Sequence, residues 1–387
     1  MGKLDSGVRR NDGEIRRFLM SKRTSRTTLP LPLKLALIGA AGATAAYIAR
    51  QRRHMEFSGK TIVITGGSRG LGLELARGFA AEGANLVLLA RDRQQLTEAE
   101  RELRNIGARV ASISCDVAKQ EEVRQAIDSI IADKEIDVLI NNAGIIQVGP
   151  YEHMELKDFA DAMDAHFWGP LYLTQAVVPH MKRQGHGRIV NIASIGGKIA
   201  VPHLLPYVAS KFALVGFSEG LRAELAKDHI YVTTVSPGLM RTGSHVNALF
   251  KGQHKKEFAL FSIANASPAL SVSSEHAARQ IIEACRYGAA QLVIGPQARV
   301  ARLVNGLIPT FVGGALSLIG RALPAPAPVD GDRLRRGWQS RSVLSPALLT
   351  RPADRATSRN RERLQPAPNE ADGKITAETR RTQRGDW

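Results

Sequence analysis

The chain has 387 residues, 44% apolar and 23% charged, which suits a folded protein with a sizeable core and excludes a wholly disordered chain. Two cysteines, Cys115 and Cys285, exclude a disulfide-built scaffold and point to a reducing compartment. The net charge of +17 sits mostly at the ends: residues 1–59 carry 12 Lys/Arg against 4 Asp/Glu, and residues 324–387 carry 13 against 8. Basic tails of this kind favour an acidic surface, a membrane or a nucleic acid. They lack interleaved aromatic residues and any recognition motif, so nucleic-acid binding is not expected.

Residues 1–32 are polar, Arg-rich and without apolar period, and read as a disordered basic N-terminus in which Met20 is an alternative start. Residues 33–53 begin LKLALIGAAGATAAYIA and end on Arg50, Arg52 and Arg53. This apolar run reads as a membrane-anchor helix, short for a bilayer span of about 20 residues. An interfacial helix or a helix packed on the protein are the alternatives. The reading places the protein on a membrane with its main domain on the cytoplasmic side; a soluble cytoplasmic protein is the alternative.

From Lys60 short β-branched apolar runs alternate with amphipathic segments. The runs are KTIVIT (60–65), ANLVLLA (84–90), ARVASISC (108–115), IDVLINN (136–142), GRIVNIAS (187–194), IYVTTVSP (230–237) and AQLVIG (290–295). Seven strands alternating with helices predict an α/β fold, a Rossmann-like doubly wound parallel sheet with helices on both faces. The strands are apolar throughout because both faces are covered. Residues 297–323 form an apolar helical segment interrupted by Pro309 and the Gly313-Gly314 pair. It reads either as a helix closing the core or a dimer, or as a membrane contact near the site entrance. From Pro324 to residue 387 the chain turns Pro/Ala-rich and then Arg-rich, which predicts a disordered tail.

The first predicted strand ends at Thr65, and Gly66, Gly70 and Gly72 then open a helix. Glycines let a backbone turn tightly and approach a phosphate, and the helix N-terminus offers free N–H groups and a positive dipole end. Strand, glycine turn and helix in that order are the context a dinucleotide site requires. The second strand ends on Ala90 and Arg91 where an acid would favour NAD, and Arg69 lies inside the glycine turn. Two guanidinium groups suit a 2′-phosphate and favour NADP over NAD. Farther along, Tyr207 and Lys211 are four apart and so share one helix face, with Pro206 suited to the first turn. An ammonium beside a phenol lowers its pKa and lets it exchange a proton near neutral pH. Ser194, thirteen residues earlier at a strand end, can hydrogen-bond a substrate oxygen.

The spacing TGGSRGLG, the NNAG after the fourth strand, and Ser194 with Tyr-x-x-x-Lys together resemble the classical short-chain dehydrogenase/reductase family over about residues 58–296. The membrane-associated type of that family is expected. The resemblance implies that Tyr207 is the acid/base, that Lys211 lowers its pKa and holds the nicotinamide ribose, and that Ser194 positions a carbonyl. It implies a cofactor set of Thr65, Gly66, Ser68, Arg69, Gly70, Leu71, Gly72, Arg91, Asp116, Asn142, Ala143, Gly144, Tyr207, Lys211, Pro237, Gly238 and Thr242. The family's fourth catalytic residue is an asparagine in a pattern like Asn-Phe-x-Gly; this chain has His166-Phe167-Trp168-Gly169. The asparagine helps hold a water in line with the lysine; a neutral imidazole carries one donor and one acceptor, so His166 is expected to take over that relay, with a pH dependence of its own, a packing role or impaired catalysis being the alternatives.

The expected activity is NADP-dependent hydride transfer to a carbonyl or from a secondary alcohol. The apolar residues of 239–272 suggest a lipophilic substrate, and a homo-oligomer is expected. A nucleotide-binding scaffold or sensor with impaired turnover is the competing reading. His153, His180, His186, His203 and His229 show no metal-ligand spacing, so no metal is expected; His203 alone lies where it could border the substrate.

Overall fold

The computed structural model describes residues 30–362, apart from Ala269 and Pro346. The expected disorder of residues 1–29 and 363–387, and the alternative start at Met20, fall outside the described residues.

The chain opens on α1 (Leu31–Gln51), with Pro32 in its first turn, where a missing N–H costs nothing. Its 21 residues are enough in length. The GAAGATAA stretch, however, brings little apolar surface, and Lys34 and Arg50 sit within its ends. No helix among the described residues is long and apolar enough to cross a membrane. The expectation of a transmembrane helix at 33–53 is corrected accordingly.

A second unit begins at Arg53. It runs β1 (Thr61–Thr65), α2 (Gly70–Ala81), β2 (Asn85–Ala90), α3 (Arg93–Asn105), β3 (Arg109–Ser114), α4 (Gln120–Ile131), β4 (Val138–Asn141) and β5 (Gln147–Val148). Next come α5 (Leu156–Met163), a π-helical turn (Asp164–Trp168), α6 (Gly169–Gln184), β6 (Gly187–Ile192), α7 (Leu205–Leu225), β7 (Ile230–Pro237), β8 (Leu239–Arg241) and β9 (Leu249–Phe250). The chain continues with α8 (His254–Ala266), β10 (Ser271–Ser273), α9 (Ser274–Arg286), β11 (Gln291–Ile294), α10 (Pro296–Leu307), α11 (Pro309–Ala322), β12 (Arg335–Arg336) and α12 (Ala347–Arg359).

The seven expected strands are the seven strands of one sheet, in the order β11-β7-β6-β4-β1-β2-β3 and parallel throughout. Alternate residues of a strand face opposite sides, and the two faces carry separate cores. Ile62, Ile64, Leu86 and Leu88 pack with Leu73, Phe79 and Ile281 on one side. Val63, Val87 and Leu89 pack with Ile127, Val177 and Met181 on the other. Both faces covered explains why β1, β4 and β6 are buried at every residue. Strand order reverses between β1 and β4, and ligands of open parallel sheets bind at the carboxyl ends beside such a reversal. A hollow of about 920 Å³ lies at the other end, lined by Thr61, Asn85 and Arg109 at the amino ends of β1, β2 and β3.

The structure departs from the expectation of a disordered tail through Glu362. Arg335 and Arg336 pair antiparallel with β9. Beyond them α12 lies against α8 and β8, with Ala353, Thr357 and Asn360 fully buried. The order comes from polar partners rather than an apolar stripe, so hydrophobic periodicity could not announce it.

Candidate active site

The glycine turn follows β1 as its spacing predicts. Gly66 and Gly70 both have positive φ, 64° and 59°, a region costly for a side chain. A Cβ on Gly72 would lie 2.1 Å from the Gly66 carbonyl oxygen. The turn is therefore closed by backbone against backbone, and α2 starts at Gly70 with its first N–H groups lacking helical partners. Ser68, Leu71 and Gly72 are buried in it.

Thr65 ties this turn to the end of β4. Its hydroxyl donates to the Ile140 carbonyl (3.2 Å) and accepts from the Asn142 and Ala143 amides (2.9 and 3.0 Å). The Asn142 side chain donates to the Thr65 carbonyl at 2.9 Å. The NNAG segment thus binds the two strands at the reversal point.

Arg91, at the tip of β2, is exposed and has its nearest acid, Asp116, at 4.0 Å. Asp92 is occupied: its carboxylate accepts from the Gln95 amide at 3.0 Å and caps α3. Asp116 in turn accepts from Ala118. Arg69 lies 3.5 Å from Glu362. Pro237 ends β7, the Gly238 amide donates to the Ile294 carbonyl, and Thr242 is buried just beyond. Glycine turn, open basic tip and helix N-terminus together form a cradle that fits a dinucleotide.

The chemical groups stand beside it. Ser194 follows β6 and accepts from the Gly196 amide at 3.0 Å. Tyr207 and Lys211 lie on α7, with the Lys211 ammonium 5.6 Å from the Tyr207 ring centre. The ammonium donates to the Ile192 carbonyl at 2.8 Å. Burial pushes the Tyr207 phenol up, opposed by its hydrogen bond with Ser194. Burial also pulls Lys211 down to about 7. The pair is thus built to hold a protonated phenol next to a lysine whose charge responds to what fills the pocket.

His166 lies in the π-helical turn between α5 and α6 and is 1% exposed. Its Nε2 accepts from the Ile145 amide at 3.1 Å. Its Nδ1 lies 2.8 Å from the Ser210 hydroxyl. That hydroxyl already donates to the Tyr207 carbonyl at 2.8 Å, and a hydroxyl has one proton. Nδ1 therefore carries the imidazole proton and donates. Both ring nitrogens are spoken for by the protein, and neither is left for a water. Burial and the nearby Lys211 hold the imidazole's pKa well below its ordinary value, so it stays neutral. Gly144 makes room: a Cβ there would lie 2.6 Å from Nε2. The ring also packs edge-on against Tyr207, with centres 5.4 Å apart.

Ser210 was not singled out from the sequence, although it sits inside the Tyr-x-x-Ser-Lys run between Tyr207 and Lys211. His203 turns away from solvent, with φ 61° and Nδ1 2.8 Å from the Glu257 carboxylate on α8. His153 and His186 pair with Asp332 and Asp137. Among the described residues no three His, Cys, Asp or Glu side chains gather as a metal site.

Comparison with known proteins agrees with this geometry. A family model described as short chain dehydrogenase matches residues 60–251. SadH of Mycobacterium tuberculosis, named as an oxidoreductase, is 37% identical over 250 residues, which are 63% of this chain and 88% of that one. Among solved structures, the L-sorbose reductase of Gluconobacter frateurii, complexed with NADPH and L-sorbose, matches with TM-score 0.56 and 30% identity. It covers 62% of this chain and 97% of its own. A gluconate 5-dehydrogenase of Burkholderia cenocepacia, in complex with NADP and tartrate, has the same TM-score and identity over 65% and 99% of the two chains. The chain belongs to the short-chain dehydrogenase/reductase family and is an NAD(P)-dependent oxidoreductase.

Proposed function

We propose that the protein is an NADP-dependent reductase or dehydrogenase of a carbonyl and secondary-alcohol pair, with Tyr207 as the acid/base. The observation that carries this reading is Ser194, Tyr207 and Lys211 gathered at the carboxyl ends of β6 and α7's first turns, beside the glycine cradle. The bound nicotinamide supplies or accepts the hydride. Ser194 and Tyr207 orient the substrate oxygen. In reduction the Tyr207 hydroxyl donates its proton to that oxygen as charge builds there; in oxidation it withdraws it. Lys211, held by the Ile192 carbonyl, stabilises the phenolate that results and would hold the nicotinamide ribose.

His166 is read here as a positioning residue. It links the loop after β4 to the helix turn that carries Tyr207 and Lys211, through Ile145 on one side and Ser210 on the other.

NADP is preferred because Arg91 stands exposed at the tip of β2 and Arg69 lies in the glycine turn, while Asp92 is committed to capping α3 and Asp116 lies 4.0 Å from Arg91. The NADPH and NADP of the two solved relatives point the same way. A lipophilic substrate is supported by the apolar cluster of Val148, Ala248, Phe250 and Phe258 with Ile146 and Leu204, which joins the segment after β4 to the one after β8. Membrane association is supported by α10 and α11, which expose Leu303, Leu307, Phe311 and Leu318. Asn305 of α10 donates to the Lys198 carbonyl, in the loop after Ser194.

NADPH oxidation against a panel of sugar ketones, aliphatic ketones and steroid-like ketones tests the reading. NADPH turnover exceeding NADH turnover, on apolar ketones above sugars, is expected. Tight NADPH binding without turnover on any carbonyl or alcohol would leave a nucleotide-binding scaffold. Co-sedimentation with lipid vesicles tests association, with the protein found in the vesicle pellet as the expected result.

A further inference from the structure

The first helix turn after the glycine cradle already has an anion-like partner from the chain itself. The Gly70 amide, a donor that helix geometry leaves free for a phosphate, donates instead to the Asn360 carbonyl at 2.9 Å. The Glu362 carboxylate lies 2.8 Å from where a Cβ of Gly70 would be and 3.5 Å from the Arg69 guanidinium. It also accepts from the Asn247 side chain. Glu362 is 7% exposed, a place where a carboxylate is costly without a reason to be there.

The rest of the segment is fastened around the same mouth. The Asn360 amide group donates to the Thr242 carbonyl and the Ser274 hydroxyl, both at 3.1 Å. Thr357 fills the space above Gly243, whose added Cβ would come within 2.6 Å of its backbone. Arg359 pairs with Glu74 (3.1 Å) and Glu275, and Arg361 with Glu102 (2.6 Å) and Glu98 (3.3 Å). Arg77 of α2 donates to the Arg359 carbonyl at 2.9 Å. Every one of these acids belongs to α2, α3 or α9, the helices around the cradle.

We propose that residues 347–362 form an autoinhibitory strap: the Asn360 carbonyl and Glu362 carboxylate occupy the phosphate-binding end of α2, so strap and dinucleotide exclude each other. This rests on the cofactor reading above and adds its regulation. Binding of the cofactor then requires the strap to lift, and its apparent affinity falls by the fraction of chains with the strap seated. The ion pairs of Arg359 and Arg361 are part-exposed, and no strand of the central sheet belongs to the segment, which suits an element that releases without unfolding the sheet.

The experiment uses the full chain. NADPH affinity is measured by fluorescence titration for the parent, for Glu362→Ala and for Thr357→Arg, and amide hydrogen exchange over 347–362 is followed with and without saturating NADPH. The expected result is a Kd tightened about threefold by Glu362→Ala and about tenfold by Thr357→Arg, as each removes part of the competing state. Exchange over 347–362 should be slow in the free protein and fast with NADPH. If Thr357→Arg does not fold, Glu362→Ala and the exchange of the parent still decide. NADPH binding with 347–362 equally protected would overturn the proposal. So would weaker binding in the variants, which would make the segment part of the cofactor site. Binding of neither NADPH nor NADH to parent or variants would instead remove the cofactor reading, and the strap's role with it.

Discussion

The cluster around Tyr207 and the buried end of the C-terminal strap at Asn360 and Glu362 are both polar, yet they are held in different ways. His166, Ser210, Tyr207 and Lys211 sit on α7 and the π-helical turn, with the sheet beneath them, and their partners are mostly backbone groups of that frame. Asn360, Arg361 and Glu362 lie past the end of α12 and are held by side chains of α2, α3 and α9, by Arg69 and Asn247, and by the backbone of Gly70 and Thr242. A group tied to a rigid frame is positioned for chemistry. A group tied by rim ion pairs, each worth about 0.2–1 kcal/mol, is positioned to leave. The difference teaches that burial alone does not distinguish a fixed site from a displaceable one; what the partners belong to does.

The sharpest way to test that contrast is Tyr207→Phe. It keeps the ring contact with His166 and removes the hydroxyl that carries the proton, so kcat should fall by about 10³-fold, within the range for proton transfer, with NADPH affinity little changed. Steady-state rates beside a binding titration check this. A loss of binding instead would mean that Tyr207 is structural.

Gly72→Ala should follow in size. Its Cβ would meet the Gly66 carbonyl oxygen at 2.1 Å, backbone against backbone, and overpacking of this kind costs about 3 kcal/mol. Urea unfolding reads the loss of stability, and NADPH titration reads the distorted cradle.

His166 gives the next effect. His166→Ala leaves the Ile145 amide and the Ser210 hydroxyl short of partners in a buried place and should lower kcat by about 10²-fold through misplacement of Tyr207. His166→Asn, which can restore a bond to the Ile145 amide, should recover most of it. Equal rates for all three proteins would reduce His166 to packing.

The same contrast has a pH signature. His245, below the strap, is pushed to about 4, mainly by burial, with Arg341 adding to the shift and Asp354 opposing it. A histidine with a depressed folded pKa stabilises the fold fully above its unfolded value of about 6.5, and that stability is lost as pH falls toward the folded value. His245 alone should therefore remove about 2 kcal/mol between pH 7 and pH 5. His166, also depressed, adds in the same direction. Unfolding curves at the two pH values measure this, and His245→Phe should flatten the dependence. Turnover, by contrast, should show no step from His166 between pH 6 and 8, which replaces the pH dependence first expected of it.

Arg361→Ala should have the smallest effect, about two- to threefold tighter NADPH binding, because its pairs with Glu98 and Glu102 are part-exposed. An unchanged Kd there, with Glu362→Ala effective, would place the strap's hold in Glu362 and Asn360.

Much of the frame was legible beforehand. All seven apolar runs became strands of one parallel sheet, shortened by at most three residues, as in IDVLINN, where β4 spans only Val138–Asn141. The glycine turn, NNAG, Ser194, Tyr207 and Lys211 came together at one end of it. Strand and helix periods and glycine spacing are local properties, and a parallel sheet gathers its carboxyl ends automatically. Two readings failed for one reason, that they concerned partners far away in the chain. The imidazole of His166 was expected to hold a water, but Ile145 and Ser210, 21 and 44 residues away, take both of its nitrogens. The segment from Pro324 was expected to be disordered because it lacks an apolar period, but its order rests on acids at positions 74, 98, 102 and 275.

The sequence by itself determined the layered α/β architecture and the family, because each is written in spacings of a few residues. Only the tertiary structure decided the tautomer and neutrality of His166 and the fit of Asn360 and Glu362 against Gly70. Both depend on which distant donors and acceptors are buried together, and a hydrogen bond between residues nearly 300 apart leaves no mark in the local pattern of either.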